Sequence, residues 1–444
     1  MKIAFRHLIQ CGLAILCLSC AAATAQTNTQ TAPKSTPAPS SSAALVCDPM
    51  ALGAKADGKT KDTVAIQKAI DTCAAEGGGT VKLAAGTFLS APLELKSHIH
   101  LEVDKGAMLL ASPDVADFPD MRVLRENARK PFLYALNVED IVISGGGVID
   151  GNGAGWYKMA REHIDNESGA HRRPRLLIVD HCKDLTIDNM TFQNGASWQI
   201  VPYFCTNVTV TNTKVTAPAD SPTTDGIDPF SCHHVRISHV WIDVGDDDVA
   251  VKSGLPGSHG VDDEPSTDVV VEDSTFLHGH GFSIGSETAG GMTDIHVRNI
   301  QMKGTKNGIR IKSGRDRGNA HIGDMTFDNI KMEDVIYPIL ISMYYPSELT
   351  IPDNDSAQPI TIMTPKFYNM TFNNITISGG KIAGILAALP ESPVTTITFS
   401  NVKISGSQKG FSIYNAIVPM HNVIIQPNSG PGILLKDRAK VINN

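Results

Sequence analysis

Apolar and polar residues alternate along most of the chain after residue 141, and the alternation comes in units. "LTIDNMTF" (185–192), "VTVTNTKV" (208–215), "VRISHVWI" (235–242) and "VVVEDSTF" (269–276) share one pattern. "IHVRNIQM" (295–302), "MTFDNIKM" (325–332), "MTFNNITI" (370–377) and "ITFSNVKI" (397–404) continue it. A period of two means strands with one face turned inward. The units start 23 to 34 residues apart, with one gap of 45, and a recurrent period in that range means a solenoid.

The fifth position of each unit is small and polar: Asn189, Asn212, His239, Asp273, Asn299, Asn329, Asn374 and Asn401. Gly145 and Asn422 extend the column at either end. Asn, Asp and Gly accept the left-handed conformation of a sharp bend, and stacked Asn side chains can form an amide ladder. Each coil therefore reads as strand, one-residue bend, strand, loop. The predicted fold is all-β: a parallel β-helix whose coils rise by about 4.8 Å. Val, Thr and Ile at period two argue strongly against a helical repeat.

One segment breaks the pattern. In "TKDTVAIQKAIDTCAAEGGGT" (60–80), Val64, Ile66, Ile70 and Cys73 suit one face of a helix, with Asp62 or Thr63 as its cap and Gly77 as its stop. This short N-terminal helix is expected to close the open end of the solenoid, where an unpaired edge invites aggregation.

The first residues look like a processing signal. Lys2 and Arg6 precede the apolar run "CGLAILCLSCAAA", and "ATA" before Gln26 fits cleavage after Ala25. Lipidation at Cys20 is the competing reading, disfavoured by Cys17 at the position where Leu is usual. Residues 26–44 are rich in Thr, Pro, Ser and Ala and read as a disordered linker, so the catalytic domain should span 45–444. The protein is expected to be exported, to the periplasm or the medium, and to be a monomer. No later stretch is apolar enough for a membrane span.

Five cysteines follow the leader: Cys47, Cys73, Cys182, Cys205 and Cys232. Without a CxxC pair, zinc is not expected. Cys47 with Cys73 is the favoured disulfide and Cys205 with Cys232 a second candidate. The formal net charge of -8 argues against a nucleic-acid partner.

Chemistry-bearing residues gather in successive coils, 11 to 20 residues past the repeat starts. They are Asp225 and Asp228 in "SPTTDGIDPFSC", Asp246 and Asp247 in "VGDDDVAVKSG", and His280 in "HGHGFSIGS". Arg310 and Lys312 follow in "NGIRIKSG", and Tyr344 and Tyr345 in "ILISMYYP". Similar offsets place them in one groove along the solenoid. Alternation sends Arg310 and Lys312 to one face but separates Asp247 from Asp246 and Asp248 unless the chain bends there. Carboxylates beside a guanidinium and an ammonium suit an anionic sugar chain. Glycosidic hydrolysis needs a protonated acid and a carboxylate that activates water. Crowding Asp225, Asp246 and Asp247 should raise one of their pKa values. Asp228 and Asp248 read as structural, Trp156 and Trp198 as packing residues, and "HRRPR" (171–175) as a solvated loop or a second binding patch.

Taken together and in order, Thr-Asp-Gly, Gly-Asp-Asp, Gly-His-Gly and Arg-Ile-Lys resemble the polygalacturonases and related pectin-degrading glycoside hydrolases. The resemblance runs from about residue 47 to 430 and includes "GAKADGKTKDTVAIQKAI" and "GGGVIDGNGAGWY". It implies a right-handed parallel β-helix and an inverting hydrolase that needs no metal or other cofactor. It implies Asp246 as general acid, Asp225 and Asp247 as the pair that holds and activates water, and His280 as support for the acid. Arg310, Lys312 and Tyr345 (or Tyr344) are implied substrate ligands. The chain departs from the family pattern at Thr223, where Asn is usual, at Asp248, and in the inserted "GLPGSHGVDDEP" (254–265), expected to lie over the groove. Endo or exo attack stays open, as does the choice among homogalacturonan, rhamnogalacturonan and xylogalacturonan. A calcium-dependent pectate lyase and a non-catalytic glycan-binding solenoid are the alternatives.

Overall fold

The computed structural model describes residues 45–162, 173–255 and 263–443. The expected leader and linker, residues 256–262 of the insertion, and His171 and Arg172 lie outside the described residues. The alternating units do become parallel strands in register: Val269, Ile295, Met325, Met370 and Ile397 stand one above another in successive coils. The result is a right-handed parallel β-helix. Among the described residues its strands form a 23-stranded sheet that wraps the solenoid, a seven-stranded parallel sheet on the face that carries the site, and one antiparallel hairpin.

Inward residues fill the bore with one stacked core. Phe327, Phe372 and Phe399 pile face to face with centroids 4.7 Å apart, which matches the rise of one coil of about 4.8 Å. Every fifth-position residue named above, from Asn189 to Asn422, has positive φ. The ladder is partial: Asn329 Nδ2 donates to Asn299 Oδ1 at 2.8 Å, and Asn422 Nδ2 to Asn401 Oδ1 at 2.9 Å, whereas Asn374 reaches Asp328 instead. A second bend column lies five residues upstream, at Asp184, Asn207, His234, Asp268, Asp294, Asp324 and Asn369, all with positive φ.

Helix α1 (Thr63–Ala75) buries Ala65, Ile66, Ala69, Ile70 and Cys73 against the first coils. Val64 was expected on that face but is 81% exposed; it sits in the first turn, two residues out of phase with Ile66. Asp62 occupies the cap position without capping. Its carboxylate accepts the backbone N–H groups of Lys55 and Ala56 at 2.6 and 2.9 Å. Gly77 follows the helix with φ of 89°. Cys73 is bonded to Cys47. The second candidate disulfide is overturned: Cys205 and Cys232 are free, buried and stacked in adjacent coils. Each thiol donates to a backbone carbonyl, Cys205 to Val179 and Cys232 to Pro202. A second helix, α2 (Ala154–Glu162), was not foreseen in the sequence and buries Trp156 and Tyr157. No helix among the described residues is long and apolar enough to cross a membrane.

The outer surface of the site face changes character along the axis. Tyr134, Ile178 and Val201 are successive partners. The same row continues through Asp228, Ala250, Ser283 and Arg310, then turns apolar again at Leu340 and Ile385. Each apolar end is covered. The hairpin Asp120–Val123/Glu126–Arg129 seats Val123, Leu124 and Ala128 on the first patch. Tyr344 and Ile351 pack on the second. Between them lies a polar floor.

Candidate active site

Asp246 and Asp247 sit in a bend between the strands Trp241–Val244 and Val249–Val251. The bend releases them from strict alternation, so both carboxylates reach one histidine. His280 Nδ1 is 2.8 Å from Asp246 Oδ1 and 3.9 Å from Asp247 Oδ1. The glycines beside His280 are required by this approach. A Cβ on Gly279 would lie 2.6 Å from Asp248 Oδ2 and 2.7 Å from the Asp246 carbonyl, and one on Gly281 only 2.3 Å from the Asn307 and Gly308 carbonyls. Close passage of one coil over the next is thus what the Gly-His-Gly motif provides.

Asp247 is the centre of the cluster. It is 1% exposed. Lys312 Nζ lies 2.6 Å from its Oδ2, Arg310 Nη1 lies 3.7 Å from its Oδ1, and Ser283 Oγ donates to Oδ1 at 2.7 Å. Burial works against its charge, but Lys312, Arg310, Lys252 and His280 outweigh it and hold the carboxyl far below its ordinary value. Burial also opposes ionisation of Asp246, yet the contact with His280 keeps it below the usual range. Burial drives Asp225 well above that range, with Asp228 and Asp246 adding to the push. Asp228, also buried, is pushed up to about 8, with Lys252 opposing and Asp247 and Asp246 reinforcing. Burial, ahead of like-charge crowding, is thus what raises Asp225 and Asp228, while Asp246 is held low.

Arg310 faces Asp247 but spends its bidentate edge on Glu348, at 3.0 and 2.6 Å. Tyr344 donates its hydroxyl to Asp355 and packs on the core. Tyr345 is half-buried at the rim with Arg317 over its ring at 4.8 Å. Asp248 is fully buried and accepts the Gly281 N–H at 2.8 Å, in line with a structural role. Trp156 packs edge-on against Phe118, as a packing residue should. Trp198 does more: it lies between Arg175 and Lys252, whose charged groups are 5.2 and 4.7 Å from its ring.

Several site residues carried no weight in the sequence reading. Lys252, 3% exposed, stands 3.8 Å from Asp225 and 3.4 Å from Glu287. Burial opposes its charge, but Glu287, Asp228, Asp225 and Asp247 hold its pKa well above normal. Its signal was available, since alternation from Ala250 puts Lys252 on the Ser283 face. Glu348 had none; it lies in a loop 38 residues from Arg310. Asp246, Asp247 and His280 could jointly offer ligand atoms within 4.8 Å of one another. Calcium needs six to eight oxygen ligands, and Lys312 and Arg310 already neutralise Asp247, so these residues do not fit the calcium site of a lyase.

Known proteins resemble the chain in sequence and in fold. The profile of "Glycosyl hydrolases family 28" matches residues 73–422. A probable polygalacturonase of Vitis vinifera is 30% identical over 367 residues, 79% of this chain and 72% of its own length. An endo-polygalacturonase of Pectobacterium carotovorum subsp. carotovorum is 30% identical over 383 residues, 82% of this chain and 89% of its own. The crystal structure of an exopolygalacturonase from Thermotoga maritima superposes with a TM-score of 0.75 at 24% identity, covering 87% of this chain and 93% of that one, and shares the fold. The chain belongs to glycosyl hydrolases family 28, the polygalacturonase family, and is a glycoside hydrolase of the pectin-degrading kind.

Proposed function

We propose that the protein is an exported enzyme that hydrolyses α-1,4-galacturonosyl linkages in pectin with inversion. The observation that supports this reading most is the ordering of charge around Asp247. Lys312 and Arg310 hold one carboxyl far below its ordinary value, a second lies 2.8 Å from His280, and burial pushes a third well above that value. A water held by Asp225 and Asp247 adds to the anomeric carbon and gives its proton to the ionised Asp247. The glycosidic oxygen leaves with a proton from Asp246. Asp246 takes that proton from solvent before each turnover, positioned by His280 2.8 Å away. An arriving uronate brings negative charge and excludes water, and both raise the proton affinity of Asp246. Metal is not part of this scheme, and the substrate's own carboxylates find their partners among the site cations.

Asp246→Asn tests the reading with polygalacturonic acid as substrate. Release of reducing ends should fall by about 10²- to 10⁴-fold, the usual contribution of a general acid, while the fold is retained. Near-normal turnover would remove Asp246 as the acid. An unsaturated product absorbing in the ultraviolet would replace hydrolysis with elimination.

A further inference from the structure

Arg310 and Lys312 were expected to hold a substrate carboxylate, yet both already hold a carboxylate of the chain itself. Arg310 Nε and Nη2 donate to Glu348 Oε1 and Oε2 at 3.0 and 2.6 Å, and Lys312 Nζ lies 2.6 Å from Asp247 Oδ2. Glu348 enters no step of the reaction scheme. We infer that Glu348 is a specificity residue that fills the place of a substrate carboxylate on Arg310, so that the sugar unit seated over Arg310 carries no free carboxylate. Its chemical class is an uncharged pectin unit, either a methyl-esterified galacturonate or a neutral sugar. The inference rests on the galacturonan-hydrolase reading and adds a substrate preference to it.

Three observations lead there. The first is the geometry of the fork. A guanidinium binds a carboxylate best through two parallel N–H···O bonds, and the Nε–Nη2 edge of Arg310 makes both of them with Glu348. Its remaining nitrogen, Nη1, faces Asp247 Oδ1 at 3.7 Å. No edge is left for a bidentate uronate. The second is charge. Arg310, Lys312, Asp247 and Glu348 form a group of two cations and two carboxylates, and the last three are 5%, 1% and 5% exposed. Asp246 pairs with His280 and brings no spare cation to the group. A further carboxylate over it meets two buried negative charges whose cations are already matched, in a medium that screens repulsion poorly. An uncharged unit leaves the group intact.

The third is that Glu348 is held in place. Tyr344 and Ile351, on either side of it in the loop, pack on Leu340, Ile385 and Ala387. Tyr344 Oη donates to Asp355 at 2.9 Å, and Arg315 ties Asp355 at 2.7 Å to Glu391 at 2.6 Å. The Tyr345 N–H donates to the Ser313 carbonyl at 2.9 Å, and the Ser347 N–H to the Tyr344 carbonyl at 2.8 Å. A substrate carboxylate that displaced Glu348 would leave it buried without its cation, which is strongly unfavourable. Arg315 is spent in this brace. Arg317, over the Tyr345 ring, pairs with Asp316 at 3.1 Å. Asp316 is 66% exposed, so Arg317 is the neighbour left to take the carboxylate of an adjoining unit.

The test compares kcat/KM of the wild-type enzyme on three polymers of equal length: fully de-esterified polygalacturonate, homogalacturonan with about half its carboxyls methyl-esterified, and a chain alternating galacturonate with rhamnose. A higher value on either of the last two is the expected result; the second polymer identifies the ester as the uncharged unit, the third the neutral sugar. Turnover of the de-esterified polymer as good as or better than that of both others overturns the inference while leaving the hydrolase reading in place. No reducing ends from any of the three removes the hydrolase reading, and the preference with it. Glu348→Gln frees the Arg310 fork for a substrate carboxylate. The ratio of KM on the half-esterified chain to KM on polygalacturonate should then rise about tenfold or more, the range for a hydrogen bond to a charged group. A Glu348 that only braced its loop would change both KM values alike, and a constant ratio in a folded variant overturns the specificity role; if the variant does not fold, the wild-type preference decides.

Discussion

At the scale of single residues, the site turns on which carboxyls keep their protons. Lys312 was expected to hold substrate, yet in the structure it sits on Asp247 at 2.6 Å. Removing an adjacent cation raises a carboxylate pKa by roughly 1–3 units. Lys312→Met should therefore move the acid limb of the kcat/KM profile to higher pH by about one unit or more. The sign follows from Asp247 acting ionised, since activity is then lost as pH falls through its raised pKa. A Lys312 that only bound substrate would raise KM and leave that limb where it was. Asp228 gives a prediction about stability. Its pKa is about 8 in the folded protein against about 3.9 unfolded. A raised carboxyl contributes stability that is complete below pH 4 and declines as pH rises to 8, because the unfolded chain then ionises it more readily. Asp228→Asn removes the titration. The melting temperature of the variant relative to wild type should climb between pH 4 and pH 8; a constant difference across that range would show that Asp228 ionises freely in the fold.

At the scale of elements, legibility in the sequence followed the physics of each part. The repeating strands were readable because alternation and a left-handed bend residue are local properties, as at Asn299 and Asn329. The second bend column was equally local but was passed over, since Asp and Asn at unit starts look like ordinary solvent-facing residues. The serial motifs of the site were legible as a group, because a solenoid converts similar offsets into one face. Glu348, the hairpin over the first apolar patch and α2 were not, because loops and insertions have no period. Cys205 and Cys232 misled for a related reason. Stacking brings them close, as a disulfide would, while each thiol is already satisfied by a carbonyl. The bond that does form, Cys47–Cys73, closes a loop of 26 residues. Chain entropy values such a loop at about 3.5 kcal/mol, or a few hundredfold in a local opening equilibrium. Reduction of the bond, or Cys73→Ser, should speed amide exchange across α1 by about that factor while leaving the strand Asn307–Lys312 unchanged. Equal protection of α1 with and without the bond would mean that packing of Ile66 and Ile70 alone secures the end of the solenoid.

At the scale of the whole molecule, an acidic protein is paired with a polyanion. The net charge is -8, and cleavage at Ala25 would remove Lys2 and Arg6 and leave the remainder more acidic. Arg173, Arg175, Lys252, Arg310 and Lys312 are all buried or nearly so and carry their own carboxylate or carbonyl partners, so they project little field beyond the groove. At long range the substrate meets a repulsive surface; at contact it meets cations in a low-dielectric wall. Salt separates the two. The Debye length falls from about 30 Å at 0.01 M to about 8 Å at 0.15 M, which screens the approach but hardly touches the buried pairs. For long polygalacturonate, kcat/KM should therefore rise a few-fold over that interval, while kcat stays level. A steady fall in kcat/KM from the lowest salt upward would show that the groove's positive field reaches into solvent and steers the chain in, and the buried pairs would then have to be far less neutralised than their 2.6 Å contacts indicate.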